Sequence, residues 1–301
     1  MDFRIPVGEW VRSFIDFLKD YIGGFFDFLA TVFGGIYDAA SWVFTTPPAW
    51  AIIIVLAALA WWVKGWKLAL GTTLGLVMII AVDQWDNAML TLALTIVAVL
   101  IAVLIGVPLG IWAARSQTVS NIVRPLLDFL QTMPAFVYLL PAIFLFGVGV
   151  VPGIVATILF AAAPGVRLTE LGIRGVDSEV VEAGNAFGAT PGRILRQIQL
   201  PLALPSIMAG INQVIMLSLS MSVIASMVGA PGLGRPIVQA LASVNIPLGF
   251  EAGLAVVIIA MILDRLTGSL ATRRARTARA SVPAPSTEAP ADAAEKSPAT
   301  A

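Results

Sequence analysis

Cysteine and histidine are both missing from these 301 residues. Their absence removes disulfides, thiol nucleophiles, Cys/His zinc sites and imidazole acid–base chemistry together. Charge is scarce as well. Charged side chains make up 12% of the chain, against roughly 25% in a soluble domain. Eighteen basic and eighteen acidic residues cancel, and no basic patch follows a phosphate backbone, so nucleic acid is set aside as a partner. The lysines are Lys19, Lys64, Lys67 and Lys296, and none follows a glycine. No Walker loop can therefore hold nucleotide phosphates, and energy for any driven process must come from another chain or an ion gradient. No nucleophile–base or metal constellation stands out, so the chain reads as non-catalytic, with no cofactor of its own.

What the chain has in excess is apolar sequence: 58% of its residues, gathered in long runs such as Met89–Ala114. A bilayer crossing needs about 20 such residues. The class is an all-α polytopic membrane protein. Seven spans are expected, at 49–63, 66–82, 88–114, 126–148, 152–172, 205–228 and 249–267. Pro108, Pro134, Pro141 and Pro164 interrupt several of them, which membrane helices tolerate when neighbours satisfy the freed backbone groups.

Residues 1–48 form a separate N-terminal arm. Asp2, Glu9, Asp16 and Asp20 crowd a region that a secretory signal would keep basic. Trp10, Phe14, Phe17, Leu18, Tyr21, Phe25 and Phe28 recur at helical spacing opposite charged residues. Gly23-Gly24 and Gly34-Gly35 divide this pattern into short amphipathic helices. They either lie along the membrane face, aromatic side down, or form a packed helical arm.

Basic residues set the orientation. Arg273, Arg274, Arg276 and Arg279 follow the last span and place the C-terminus in the cytoplasm. Alternation then puts fourteen of the eighteen basic residues inside and leaves the N-terminus outside. The transmembrane body is 49–272, and 273–301 is expected to be a disordered cytoplasmic tail, rich in Ala, Pro and Ser.

One loop breaks the apolar pattern. "VVEAGNAFGATPGRILRQIQLPLALPS", Val180 to Ser206, lies in a cytoplasmic segment spanning 173–204. Asp177 can cap a first helix, with Glu179 in its first turn favourable to the dipole. Gly188 suits its stop. Thr190 and Pro191 open a second helix, which Pro201 is expected to end before Pro205 begins the next span. Ala183, Gly184 and Phe187 cluster as a small-residue patch beside an aromatic knob. Such a pair of helices either inserts into a groove on another protein or rests on lipid headgroups.

The spacing in this loop matches a known pattern. Glu182-Ala183-Gly184, Gly188, Ile198, Leu200 and Pro201 fit EAA-x3-G-x9-I-x-L-P, with Gly184 in place of the second alanine. This resembles the signature of ABC importer permeases. "LIGVPLGIWAARS", "QTMPAFVYLLPAIFLFGVG" and "VIASMVGAPGLG" look like the glycine betaine/proline (quaternary amine) uptake permeases. The resemblance implies a type I ABC importer transmembrane domain in a bacterial cytoplasmic membrane. It further implies a homodimer, a cytoplasmic ABC ATPase dimer that uses ATP and Mg, an extracytoplasmic substrate-binding protein, and a loop that docks on the ATPase. The implied role is uptake of compatible solutes for osmoprotection. A gradient-driven secondary transporter or a channel is the alternative.

Two stripes mark the sixth span. Ser218, Ser222 and Ser226 recur at i, i+4, while Asn212, Met216 and Ser220 follow a second line. They either line a weakly binding translocation path or permit close helix packing. Trp50, Trp61, Trp62, Trp66, Trp85 and Trp112 fall mostly at span ends and read as interfacial anchors rather than a cation–π cage.

Overall fold

The computed structural model describes residues 7–280, with side chains over 8–269. In chain order its helices are α1 (Val7–Thr45), α2 (Ala49–Lys64), α3 (Trp66–Ala81), α4 (Trp85–Arg115), α5 (Gln117–Thr132), α6 (Ala135–Phe146), α7 (Val150–Arg174), α8 (Ser178–Ala186), α9 (Pro191–Ile194), α10 (Leu200–Ala225), α11 (Gly234–Ser243) and α12 (Ile246–Ala280). No strand occurs among the described residues. The expected tail thus begins as helix, and its remainder, 281–301, lies outside the described residues.

Helices α4, α7 and α10 form the centre, because small residues let their backbones approach. A Cβ on Gly110 would stand 2.6 Å from the Val166 carbonyl oxygen, and one on Gly106 would stand 3.3 Å from that of Ala162. On the other side of α7, a Cβ on Gly172 would meet the Ser206 Cβ at 2.7 Å. Around these contacts Leu94, Val97, Tyr138, Ile154, Val214 and Met221 are buried in one cluster. A second cluster joins α3, α4 and α12 through Leu76, Ile79, Met89, Leu92, Ile258 and Ile262.

Among the described residues, five helices are long and apolar enough to cross a membrane: 8–45, 85–115, 150–174, 191–228 and 246–269. Four of the expected spans fall inside the last four of these. The expected span at 126–148 is broken into α5 and α6, which meet at a bend of 102°. Met133 takes extended angles (φ −77°, ψ 135°) ahead of Pro134, as the ring of a following proline demands. The expected spans at 49–63 and 66–82 form a hairpin of two 16-residue helices. At 1.5 Å per residue each is about 24 Å long, short of a ~30 Å hydrocarbon layer.

The N-terminal arm matches its expected form in one place and differs in another. Two helical pieces meet at a kink at Ile22 (φ −129°, ψ 23°), just before Gly23-Gly24, but no break follows at Gly34-Gly35. Gly34 continues the helix and lies against the Val151 side chain at 3.9 Å for a notional Cβ. Packing there offsets the cost of about 1 kcal/mol for glycine within a helix. Phe33, Tyr37, Ala40 and Phe44 dock this half of α1 on the central cluster, while Phe26 stacks edge-on with Phe146 at 5.6 Å.

Candidate functional site

The loop between α7 and α10 folds into two short helices by local rules. The Asp177 carboxylate accepts from the Glu179 N–H at 2.9 Å and caps α8. At the other end Gly188 takes φ +74°, a conformation that a residue with a Cβ adopts at a cost. Its N–H bonds the Asn185 carbonyl at 2.9 Å, and the Ala189 N–H reaches that of Gly184 at 3.1 Å. This pair of bonds satisfies the carbonyls left over at the end of α8. Thr190 opens the next helix with extended angles, and its carbonyl accepts from the Arg193 and Ile194 N–H groups at 2.8 and 3.0 Å. Its hydroxyl makes no cap bond.

Pro201 does not end this second helix. A single wide turn, Leu195–Gln199, joins α9 to α10, and the helix runs unbroken through Pro201 and Pro205. A proline ring clashes with the carbonyl four residues earlier in a regular α-helix. The i→i+5 bonding of the wide turn shifts that carbonyl and makes room.

Within the loop the motif residues divide in two. Gly184 is buried, with a notional Cβ 2.7 Å from Ile198 Cδ1 and 3.5 Å from Ile194 Cγ1. Glycine at this position therefore seats α8 on Ile194 and Ile198. Glu182, Ala183 and Gly188 are exposed, as is Pro201, and Leu200 is half-buried. Phe187 is 92% exposed, an aromatic ring held off the protein at the tip of the loop. The small patch expected to combine Ala183, Gly184 and Phe187 is thus split, with Gly184 turned inward. Beside the loop, Arg115, Arg193 and Arg196 edge one cavity and have no ion pair among the described residues.

The two stripes of α10 also part company. Ser218, Ser222 and Ser226 are buried. The Ser222 hydroxyl donates to the Ser218 carbonyl at 2.8 Å and lies 3.0 Å from that of Thr95 on α4, and the Ser226 hydroxyl donates to the Ser222 carbonyl at 3.1 Å. Met216 and Ser220 instead face outward. Asn212 donates to Asp264 on α12 at 3.3 Å and accepts from the Thr267 hydroxyl at 2.7 Å.

Residues 106–276 match the family described as binding-protein-dependent transport system inner membrane component. The chain is 46% identical over 271 residues to the glycine betaine transport system permease protein OpuAB of Bacillus subtilis (strain 168), covering 90% of this chain and 96% of that protein. The chain belongs to this permease family. Two other relatives agree. The glycine betaine/carnitine transport permease protein GbuB of Listeria monocytogenes serotype 1/2a (strain 10403S) is 50% identical over 267 residues, 87% of this permease and 94% of that protein. The glycine betaine/proline betaine transport system permease protein ProW of Escherichia coli (strain K12) is 45% identical over 263 residues, 87% and 74% of the two chains. Among solved structures, an inward-facing MetNI methionine ABC transporter aligns with TM-score 0.52 at 25% identity, over 62% of this permease and 92% of that chain. The permease is a multi-pass inner-membrane protein of a binding-protein-dependent system, and the gradient-driven alternative falls away.

One cluster at the root of the permease's loop carried no expectation. Glu170, 3% exposed, accepts from the Ser120 hydroxyl at 2.7 Å and from Arg124 at 2.9 Å, and pairs with Arg174 Nε at 3.1 Å. Arg174 in turn donates to Gln117 at 2.8 Å and to the Ala113 carbonyl at 2.9 Å. The last turn of α7, where the loop begins, is thereby tied to the end of α4 and the start of α5. Two i, i+4 spacings, Ser120/Arg124 and Glu170/Arg174, were the available sequence signal.

Proposed function

We propose that this permease works as a homodimer, with its 173–204 loop seated on a cytoplasmic ABC ATPase dimer and its outer face serving a substrate-binding protein. The observation that carries this reading is Phe187. A ring 92% exposed on a soluble-facing loop costs about 1.5–3 kcal/mol of unrealised burial, and a groove on a partner recovers it. The neighbouring arginines 115, 193 and 196 supply a charged rim for the same contact. In this orientation the C-terminus is cytoplasmic. The N-terminal arm lies outside, its 8–45 helix running along the membrane face rather than crossing it, in keeping with contacts of α1 to Phe146 at the end of α6 and Val151 at the start of α7.

The cargo is a small quaternary amine or imino acid such as glycine betaine, proline betaine or proline. All three relatives named above carry glycine betaine in their descriptions, which supports this class. Asn212, Met216 and Ser220 would line the path at the dimer seam, offering weak polar contacts that release as readily as they bind. Ser218, Ser222 and Ser226 hold α10 on its own bundle.

Cysteines introduced singly from 212 to 227 in the cysteine-free chain test the path in proteoliposomes with the ATPase. Positions 212, 216 and 220 should react with a small aqueous thiol reagent, and betaine plus ATP should change the pattern. Reaction at none of them in any state, alongside intact ATP-driven betaine uptake, would remove α10 from the path. Failure of ATP to drive uptake of any of these solutes would remove the substrate assignment.

A further inference from the structure

The hairpin of α2 and α3 packs against α12 and leaves a wedge between them. The two helices touch at Gly75, where a Cβ would stand 2.8 Å from Ile258 Cγ2. One turn away at Gly71, a Cβ would meet nothing within 4 Å. The helices therefore diverge toward the hairpin tip, and the gap is a groove of about 470 Å³ walled by Leu68, Gly71, Thr72, Met261 and Ile262. Lys64, Lys67 and Arg265 stand around its wide end. None of these three cations has an ion-pair partner among the described residues. Deeper in, the Thr72 hydroxyl oxygen is buried and makes no hydrogen bond among the described residues.

Snorkelling alone accounts for a lone cation at a span end. It does not account for three, drawn from three separate helices, converging on an open apolar cleft. A small soluble anion would satisfy the charges and leave the apolar walls wet. A neutral lipid would fill the walls and leave the charges without a counterpart. We propose that this groove binds one anionic phospholipid, its phosphate between Lys64, Lys67 and Arg265 and one acyl chain laid between α3 and α12. Basic pockets between membrane helices recognise anionic headgroups in this manner. The bound lipid completes the contact that Gly71 leaves open, and so fixes the two short helices to the transport bundle. The proposal does not depend on the identity of the cargo or on the coupling loop.

The test uses the assembled transporter extracted from phosphatidylcholine membranes containing phosphatidylglycerol, with native mass spectrometry to read retained lipid after mild delipidation. The wild type should hold about one phosphatidylglycerol per permease chain and exchange it for phosphatidylcholine only weakly. Lys64→Gln/Lys67→Gln/Arg265→Gln should weaken retention on the order of a hundredfold, given about 1 kcal/mol for each cation at a headgroup. Gly71→Leu keeps every charge and fills the groove, and it should also abolish retention. Equal retention of phosphatidylcholine by the wild type overturns the proposal without any variant. So does full phosphatidylglycerol retention in Gly71→Leu, which would mean a headgroup held at the surface and an empty groove.

Discussion

Phe187 and Gly184 sit three residues apart in one motif and answer to different neighbours. Phe187 touches solvent, so Phe187→Ala should leave the melting temperature of the purified permease unchanged. Its cost should fall on the partner: a loss of about 1.5–3 kcal/mol in ATPase affinity, read as loss of co-purification and of transport. Retention of wild-type ATPase affinity would return the ring to the lipid surface. Gly184 faces inward, and its nearest obstacle is the flexible end of Ile198. Gly184→Ala, which restores the alanine of the family pattern, should transport at near wild-type rate. Gly184→Leu should wedge α8 away from Ile194 and Ile198, costing about 1–3 kcal/mol and raising protease cleavage within 178–190. Spacing revealed both residues, yet it could not separate them. A repeat of positions carries no information about which side of a nine-residue helix meets the protein.

At the scale of elements, boundaries written by backbone chemistry were legible, and those written by packing were not. The Asp177 cap, the left-handed Gly188 and Pro191 at the start of its helix are local events, visible in a few residues. Pro134 broke a span because its ring constrains Met133. Pro201 did not, because a wide turn upstream absorbed the clash, and the helix runs on through Pro205 as well. Nor did Gly34 interrupt α1, since Val151 packs beside it. The Glu170 cluster was hidden for the same reason: its partners lie 46 and 50 residues away. Arg174→Ala should cut the tie between the loop and the α4–α5 corner while leaving α8 free to dock. Its signature would be ATP hydrolysis with transport reduced several-fold or more, measured together in proteoliposomes. Glu170→Gln keeps the Ser120 contact but not the charge, and should destabilise by about 1–3 kcal/mol. Its two arginines are partly exposed and regain water, which lowers the cost below that of a fully buried pair. Parallel loss of hydrolysis and transport in Arg174→Ala would mean simple failure to assemble.

For the whole molecule, the question is which ends face which compartment. Basic residues cluster at the α2–α3 tip, the α4–α5 corner and the 173–204 loop, while the α11 side carries Arg235. The absence of native cysteine makes this measurable. Ser243→Cys at the end of α11 should react with an impermeant thiol reagent in intact cells. Ala186→Cys in α8 should react only after the membrane is opened. The reverse pattern would invert the protein and remove the coupling loop from the cytoplasm. Composition alone established a membrane protein here, since 58% apolar content leaves no other solvent for so much surface. It could not establish how α2 and α3 meet that solvent, because 16 residues of apolar helix suit a short crossing and a buried hairpin alike.

The unbroken helix from Pro191 to Val228 has a mechanical meaning. Its 38 residues make a rod roughly 57 Å long, with the wide turn at 195–199 near one end and the outward Met216 and Ser220 along its shaft. The close approach of Gly172 to Ser206, and of Gly210 to Pro164 with a notional Cβ 3.2 Å from its carbonyl oxygen, gives it a fulcrum partway along. A rod supported there works as a lever. A tilt of about 10° imposed at one end would sweep the other through roughly 5 Å across an arm of about 30 Å, comparable to the width of a trimethylammonium group. Stroke and cargo would then be matched by arm length alone, and the one compliant joint in the linkage would be the wide turn at 195–199.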